Sequence, residues 1–149
     1  MGPEKIDKGT EIIYNLPSDK ELIALFERVK NIAVIGLSPK PDRPSHRVAK
    51  HMQEFGFEIT PVRPAVREVL GVRAYASLSE VPYAVDLVNV FRAPKYIAEL
   101  TEQCIDKKVS ALWLQEGVVD IDSANRACKE NIFTVMDKCI YKEYVRLMM

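Results

Sequence analysis

The sequence predicts a single doubly wound α/β domain built around a five-stranded, mainly parallel sheet. Short, fully apolar runs alternate along the chain with stretches whose apolar residues recur at helical spacing. Fully apolar strands are typical of a sheet that is covered on both faces, and strands separated by helices form parallel sheets. A length of 149 residues suits one domain. We expect this domain to span residues 18–149, after a polar N-terminal arm at residues 1–17.

Each element follows from a local pattern. Ser18 and Glu21 form a capping box, which predicts the start of a short amphipathic helix ahead of the sheet. The strands are expected at residues 32–35, 59–62, 85–91, 111–114 and 133–136. The later helices are expected to begin at Ser45 as N-cap, near Ser79, with Pro94 in a first turn, at Asp120 or Asp122, and at residue 140.

Composition and charge exclude several classes of function. Lys plus Arg equals Asp plus Glu, at 21 each, so the chain has no general attraction to nucleic acid or to an anionic membrane. No apolar run approaches the length that crosses a bilayer, and the N-terminus is charged rather than signal-like. Cys104, Cys128 and Cys139 show no metal-ligand spacing. We expect reduced thiols in a cytoplasmic protein that binds no metal.

Cationic residues follow the predicted strands at one edge of the sheet. In an open parallel sheet, ligands bind outside the carboxyl ends of the strands, near the point where strand order reverses. Lys40, Arg43, Arg63 and Arg92 are expected at that edge. Guanidinium groups suit bidentate hydrogen bonding to phosphate oxygens, and a helix starting near Ser45 would add backbone N–H groups. This pattern favours a phosphate-rich nucleotide over an uncharged ligand.

The first loop lacks the dinucleotide-binding fingerprint, because the next glycine after Gly36 is Gly56. Arg63 follows the second strand, where an NAD-dependent dehydrogenase usually has Asp or Glu to hold the ribose 2′-hydroxyl. Arg63 therefore favours a ligand with a phosphorylated ribose. Coenzyme A, with its 3′-phosphate, and NADP, with its 2′-phosphate, both meet this requirement.

Seven short segments together carry a family resemblance. They are residues 35–39, 43–45 with 47–48, 61–64, 69–71, 90–92, 113–115 with Gly117, and 136–139. In order and spacing they resemble the small coenzyme A-binding protein family, whose Rossmann-like domain is related to the N-terminal domain of succinyl-CoA synthetase α subunits. The similarity covers roughly residues 18–147. Arg63, Asn89 and His46 depart from the small polar residue, Asp and Tyr that are usual in the family.

The resemblance implies a ligand site at the ends of the strands. Its implied coenzyme A-binding residues are Gly36, Leu37, Ser38, Lys40, Arg43, Pro44, Ser45, Arg47, Val62, Arg63, Pro64, Val90, Phe91, Arg92, Gln115 and Gly117. The loop after the first strand would hold phosphate oxygens. The turn after the second strand would flank the adenosine with its ribose phosphate. The end of the third strand would line the pyrophosphate or pantetheine path.

The implied function is binding of coenzyme A or an acyl-CoA by a carrier, sensor or regulatory module that does no chemistry alone. No residue is assigned a catalytic role. Cys139 follows the fifth strand at the ligand edge, where it would meet the thiol of coenzyme A in one hypothesis. Two other hypotheses stay open: an NADP-binding enzyme or enzyme subunit, and an interaction protein with a vestigial nucleotide site.

Overall fold

The computed structural model describes residues 13–149, so most of the expected arm, residues 1–12, lies outside the described residues. The strands are β1 (Asn31–Ile35), β2 (Glu58–Val62), β3 (Glu68–Val69), β4 (Val72–Arg73), β5 (Leu87–Val90), β6 (Ala111–Leu114) and β7 (Phe133–Val135). Five of them form one sheet in the order β2-β1-β5-β6-β7. All its neighbouring strands are parallel, so the predicted fold class is confirmed.

Helices cover both faces of this sheet. They are α1 (Asp19–Arg28), α2 (Pro44–Glu54), α3 (Ile97–Lys107), α4 (Ile121–Lys129) and α5 (Ile140–Met148). Buried residues of α1, α2 and α5 pack on one face together with Ile32 and Val34 of β1. Buried residues of α3 and α4 pack on the other face with Ala33 and Ile35. Successive residues of one strand thus feed two cores, which is why the strand is apolar throughout.

The capping box forms as the sequence predicts. The Ser18 backbone N–H donates to Glu21 Oε1 at 2.8 Å, and the Glu21 N–H donates to Ser18 Oγ at 3.2 Å. Asp120 caps α4, because its carboxylate accepts from the Ser123 N–H at 3.4 Å. Short 3₁₀ helices lie at Leu78–Glu80, as expected near Ser79, and at Pro94–Tyr96. Pro94 therefore opens a 3₁₀ turn ahead of α3 instead of an α-helix.

Two boundary predictions are wrong by two residues each, and the other strand limits agree within one residue. Ser45 is not the N-cap of α2; Arg43 is, and Pro44 occupies the first helical turn, where its fixed φ and missing N–H fit. The strand expected from Val85 begins at Leu87. Asp86 precedes this strand, and its carboxylate accepts hydrogen bonds from the N–H groups of Lys30 at 2.9 Å and Asn31 at 3.1 Å. These side-chain hydrogen bonds take the place of backbone pairing between strands at this position.

An unexpected hairpin follows β2. Strands β3 and β4 pair antiparallel, with Val69 opposite Val72. The two residues between them, Leu70 and Gly71, have positive φ values of 55° and 76°. Two-residue hairpin turns favour such angles, but their usual sequence signal is Asn-Gly or Asp-Gly. Because leucine is not typical of the first position of such a turn, the sequence does not predict this hairpin.

The described end of the arm lies against the domain. The backbone N–H groups of Ile13 and Tyr14 both donate to Asn125 Oδ1, at 3.1 and 2.7 Å. The Tyr14 hydroxyl accepts from the Met136 N–H at 2.9 Å, and burial raises the pKa of this phenol. Across residues 13–149, no helix combines the length and the apolar character that a membrane crossing requires.

Candidate functional site

A cleft of about 710 Å³ opens at the carboxyl edge of the sheet. The chain passes from β1 outward to β2 and then returns to β5 on the other side of β1, so strand order reverses there. This reversal is where ligands bind in open α/β sheets. The cleft is lined by Gly36, Ser38, Pro39, Lys40, Arg43, Pro44, Ser45, Arg63, Pro64, Ala65, Val66, Phe91, Arg92, Ala93 and Val118.

The lining carries a strong charge imbalance. Lys40, Arg43, Arg63 and Arg92 all line the cleft, and among the described residues no Asp or Glu does. The whole chain has a formal net charge of zero. Four cations in a cleft that no described carboxylate lines create a local positive potential that attracts polyanions. The structure thus brings these four residues together at one edge of the sheet, as the sequence predicts.

Gly36 lets the ends of β1 and β5 approach each other. Its φ is +83°, and a Cβ at this position would lie 2.4 Å from the Phe91 carbonyl oxygen. Only glycine tolerates both the left-handed backbone and this approach. The glycine is thus needed by the neighbouring backbone, whatever ligand the cleft holds.

The loop that follows is held against α2. The Ser38 N–H donates to Ser45 Oγ at 3.0 Å, and the Lys40 N–H donates to Ser38 Oγ at 3.1 Å. His46 Nδ1 lies 2.9 Å from the Ser38 carbonyl oxygen; since a carbonyl only accepts, this nitrogen donates. Both hydroxyl groups serve as acceptors in these bonds, which leaves their own O–H groups to donate to a ligand.

Two of the arginines are oriented by contacts within the protein. Arg63 Nη1 donates to the Gly36 carbonyl oxygen at 3.1 Å, so its guanidinium spans the ends of β1 and β2. Its remaining N–H groups are available to a ligand. The Arg92 guanidinium lies 4.0 Å from the centroid of the Tyr96 ring, a cation–π geometry.

Six residues of the implied set do not line this cleft: Leu37, Arg47, Val62, Val90, Gln115 and Gly117. Leu37 and Val90 are fully buried, and Val62 is 4% exposed, because each packs in one of the two apolar cores that flank the sheet. Arg47 donates to the Asp42 carbonyl oxygen. The Gly117 N–H donates to Asp137 Oδ1 at 2.8 Å.

Several lining residues were missed by the sequence reasoning. Ala65 and Val66 extend the turn after β2, and Ala93 continues the segment after β5. Ala65 has φ of +62°, which nothing in an alanine signals in advance. Val118 enters from the loop after β6. Extending the implied segments by one residue, beyond Pro64 and beyond Arg92, would have found Ala65 and Ala93.

The described residues, 13–149, contain no group of three or more His, Cys, Asp and Glu side chains arranged to hold a metal ion. Arg47 and Gln115 line a second cavity of about 400 Å³, which shares Pro44 and Phe91 with the cleft. Cys139 lines this second cavity.

Comparisons with known proteins agree with the geometry. Residues 30–145 match the family profile described as a CoA binding domain. The chain is 40% identical over 124 residues to the uncharacterized protein YneT of Bacillus subtilis (strain 168), which covers 83% of this chain and 92% of that protein. A hypothetical protein from Pyrococcus horikoshii OT3 superimposes with a TM-score of 0.86 at 32% identity, covering 89% of this chain and 94% of that one.

A larger relative matches part of this chain. The chain is 33% identical over 92 residues to the ADP-forming acetate–CoA ligase II subunit alpha of Pyrococcus furiosus, which covers 61% of this chain. The match spans 20% of that subunit, about a fifth of its length. Family profile, relatives and fold agree, and the chain belongs to the CoA binding domain family.

Proposed function

We propose that the cleft binds coenzyme A or an acyl-CoA through its phosphates, and that the protein acts as a non-catalytic carrier, sensor or regulatory module. One observation carries the proposal: four cationic side chains from three chain segments surround a cleft that no described carboxylate lines. Membership of the CoA binding domain family supports the same ligand.

The proposed roles follow from where the residues lie. Arg63, which is already oriented by the Gly36 carbonyl, would hold the 3′-phosphate of the ribose. Lys40 and Arg43 would pair with the pyrophosphate, together with the hydroxyl of Ser45. The first turn of α2 opens on the same cleft and favours negative charge there. Charge-assisted hydrogen bonds of this kind are about twice as strong as neutral ones.

Calorimetry with coenzyme A and dephospho-coenzyme A tests the proposal. Arg63→Ala is expected to weaken coenzyme A binding by about 1.5–3 kcal/mol, the scale of a hydrogen bond to a charged group. The same variant is expected to leave dephospho-coenzyme A binding nearly unchanged, because that ligand lacks the phosphate. Arg28→Ala is the matched control, since Arg28 ends α1 just before β1 starts, at the opposite edge of the sheet.

The outcomes separate the competing hypotheses. Equal wild-type affinity for the two ligands would remove the role of the ribose phosphate. A thermal-shift panel completes the test, because a ligand that binds only the folded state raises stability with the logarithm of its concentration over Kd. Stronger protection by NADP than by coenzyme A would favour the NADP-binding hypothesis. The absence of any shift in melting temperature with nucleotides at millimolar concentration would favour an interaction protein with a vestigial site.

A further inference from the structure

Gln115 carries a donor that no described residue of the protein satisfies. The residue follows β6 and is 6% exposed. Its Oε1 accepts from Asn89 Nδ2 at 3.1 Å and from the Ile140 backbone N–H at 3.3 Å. A backbone N–H only donates, so the Ile140 bond fixes which end of the amide is the oxygen. The Nε2 amino group then faces away, and within residues 13–149 it makes no hydrogen bond.

An unsatisfied buried donor points to an acceptor outside the protein. Leaving such a group without a partner costs about 1–3 kcal/mol, and native structures rarely keep one without a reason. Gln115 lines the second cavity of about 400 Å³. A ligand carbonyl oxygen in this cavity would satisfy the amide.

The second cavity also contains a thiol. Cys139 lines it, is 7% exposed, and is the N-cap of α5. Among the described residues its sulfur neither donates nor accepts a hydrogen bond, and it forms no disulfide. Pro44 and Phe91 line both cavities, so a ligand whose phosphates lie in the cleft has a short path to Cys139.

From these contacts we infer that the second cavity receives the sulfur end of the ligand, and that Cys139 forms a mixed disulfide with coenzyme A by exchange with a coenzyme A disulfide. The inference rests on the proposed function. The pantetheine arm supplies what the cavity lacks: amide carbonyls that Gln115 Nε2 can bind, and a terminal sulfur to meet the thiol.

The exchange balances without another oxidant. The Cys139 thiol first releases its proton to solvent, and the thiolate attacks one sulfur of the ligand disulfide. A new bond joins Sγ to that sulfur while the ligand S–S bond breaks. The departing coenzyme A thiolate takes a proton from solvent. The Cys139 sulfur is oxidised from thiol to disulfide, and the departing coenzyme A sulfur is reduced from disulfide to thiol, so the electrons balance. Cys139 is the N-cap of α5, and the positive end of that helix favours a thiolate there.

The other cysteines provide a sharp comparison. Cys104 is fully buried, and burial raises its pKa to about 12, so it stays a thiol. Cys128 is half-buried, hence more exposed than Cys139, and it lines a different cavity. A reaction governed by exposure alone would therefore modify Cys128 first. A reaction directed by the ligand site would modify Cys139 first.

The test is modification of the wild-type protein by coenzyme A disulfide, followed by intact-mass measurement and peptide mapping. We expect a single adduct at Cys139, with the mass of one coenzyme A less the hydrogens lost, which dithiothreitol removes. Cys128→Ser should leave the adduct unchanged, and Cys139→Ser should abolish it. At micromolar reagent the rate should exceed that with pantethine roughly 10-fold or more, because a bound reactant reaches millimolar effective concentration. Adenosine 3′,5′-bisphosphate should slow the nucleotide-directed reaction only.

Several results would overturn the inference: no adduct at Cys139, faster modification of Cys128, or equal rates with coenzyme A disulfide and pantethine. Calorimetry with reduced coenzyme A keeps this failure distinct from failure of the proposed function. If reduced coenzyme A binds wild type and Cys139→Ser equally but no adduct forms, the proposed function stands and the thiol exchange is wrong. If reduced coenzyme A does not bind, the proposed function itself is wrong.

Discussion

Replacing Gly36 by alanine is expected to destabilise the protein strongly, through two separate costs. The first is conformational: at φ +83° a residue with a Cβ is in the left-handed region, which costs about 1–2 kcal/mol. The second is steric, because the new Cβ would lie 2.4 Å from the Phe91 carbonyl oxygen, where 3.0 Å is the practical limit. Forcing extra atoms into a packed site typically costs about 1–3 kcal/mol. The free energy of unfolding should therefore fall by about 2–5 kcal/mol.

The steric cost cannot be relieved by a side-chain movement. The clashing atom belongs to the backbone, and the Phe91 N–H donates to the Ile35 carbonyl oxygen at 2.9 Å. Moving Phe91 away would open the junction between β1 and β5 at the mouth of the cleft. Coenzyme A affinity should consequently fall together with stability.

Urea denaturation of Gly36→Ala beside Gly71→Ala separates the two costs. Gly71 has a similar φ of +76°, but a Cβ there would have nothing within 4 Å. The control should therefore lose only the conformational term, about 1–2 kcal/mol. Equal losses of unfolding free energy in the two variants would refute the steric part of the reasoning.

Three further predictions concern a core thiol, a helix end and an arginine contact. Burial raises the pKa of Cys104 from 9.0 to about 12. The neutral thiol therefore stabilises the folded state fully below pH 9, and this stabilisation is lost at higher pH as the thiol of the unfolded chain ionises. Above pH 9 the unfolding free energy of wild type, measured with urea, should fall by about 1.4 kcal/mol per pH unit relative to that of Cys104→Ala. If the unfolding free energies of the two proteins change in parallel with pH, this prediction is wrong. Lys108 ends α3 at φ 60°, and Lys108→Gly should add about 0.5–1 kcal/mol to the unfolding free energy by removing the left-handed penalty. Lys108→Ala should not raise the unfolding free energy, and equal melting temperatures for the two variants would count against the reasoning. Tyr96→Ala should weaken coenzyme A binding by about 0.5–1 kcal/mol by releasing Arg92, whereas Tyr96→Phe keeps the aromatic face and the affinity; equal Kd values for the two variants would contradict this role.

The sequence predicts the cationic edge because topology alone assembles it. In a parallel sheet all carboxyl ends lie at one edge, so Lys40, Arg63 and Arg92 converge once three strand ends are located. Those ends are marked by apolar runs that two buried cores require, as for β1. Pattern and geometry have the same physical cause here.

Other features depend on contacts that no local pattern encodes. Val62 and Val90 belong to the implied set, yet they point into the core while their neighbours Arg63 and Phe91 line the cleft. Val62 and Val90 are the last residues of β2 and β5, where both faces of the sheet are covered, whereas Arg63 and Phe91 lie just beyond the strand ends. The proximity of Gln115 to Ile140, by contrast, joins segments far apart in sequence through one buried amide. This contact and the adjoining cavity exist only in the folded structure, so no local sequence pattern predicts them.

The cleft cations fall into two groups, and the difference decides how their loss should appear. Arg63 holds the Gly36 carbonyl as well as facing the cleft, so Arg63→Ala should lower both the stability of the free protein and its affinity for coenzyme A. The exposed Lys40 ammonium makes no hydrogen bond within residues 13–149 and lies among three other cations. Without ligand these charges repel one another, so Lys40→Ala should leave the melting temperature of the free protein unchanged or slightly raised while weakening coenzyme A binding. If the cleft serves to hold a polyanion, both variants should bind coenzyme A more weakly, but only Arg63→Ala should lower the stability of the free protein. A loss of stability in Lys40→Ala with unchanged affinity for coenzyme A would mean that these cations serve the fold instead.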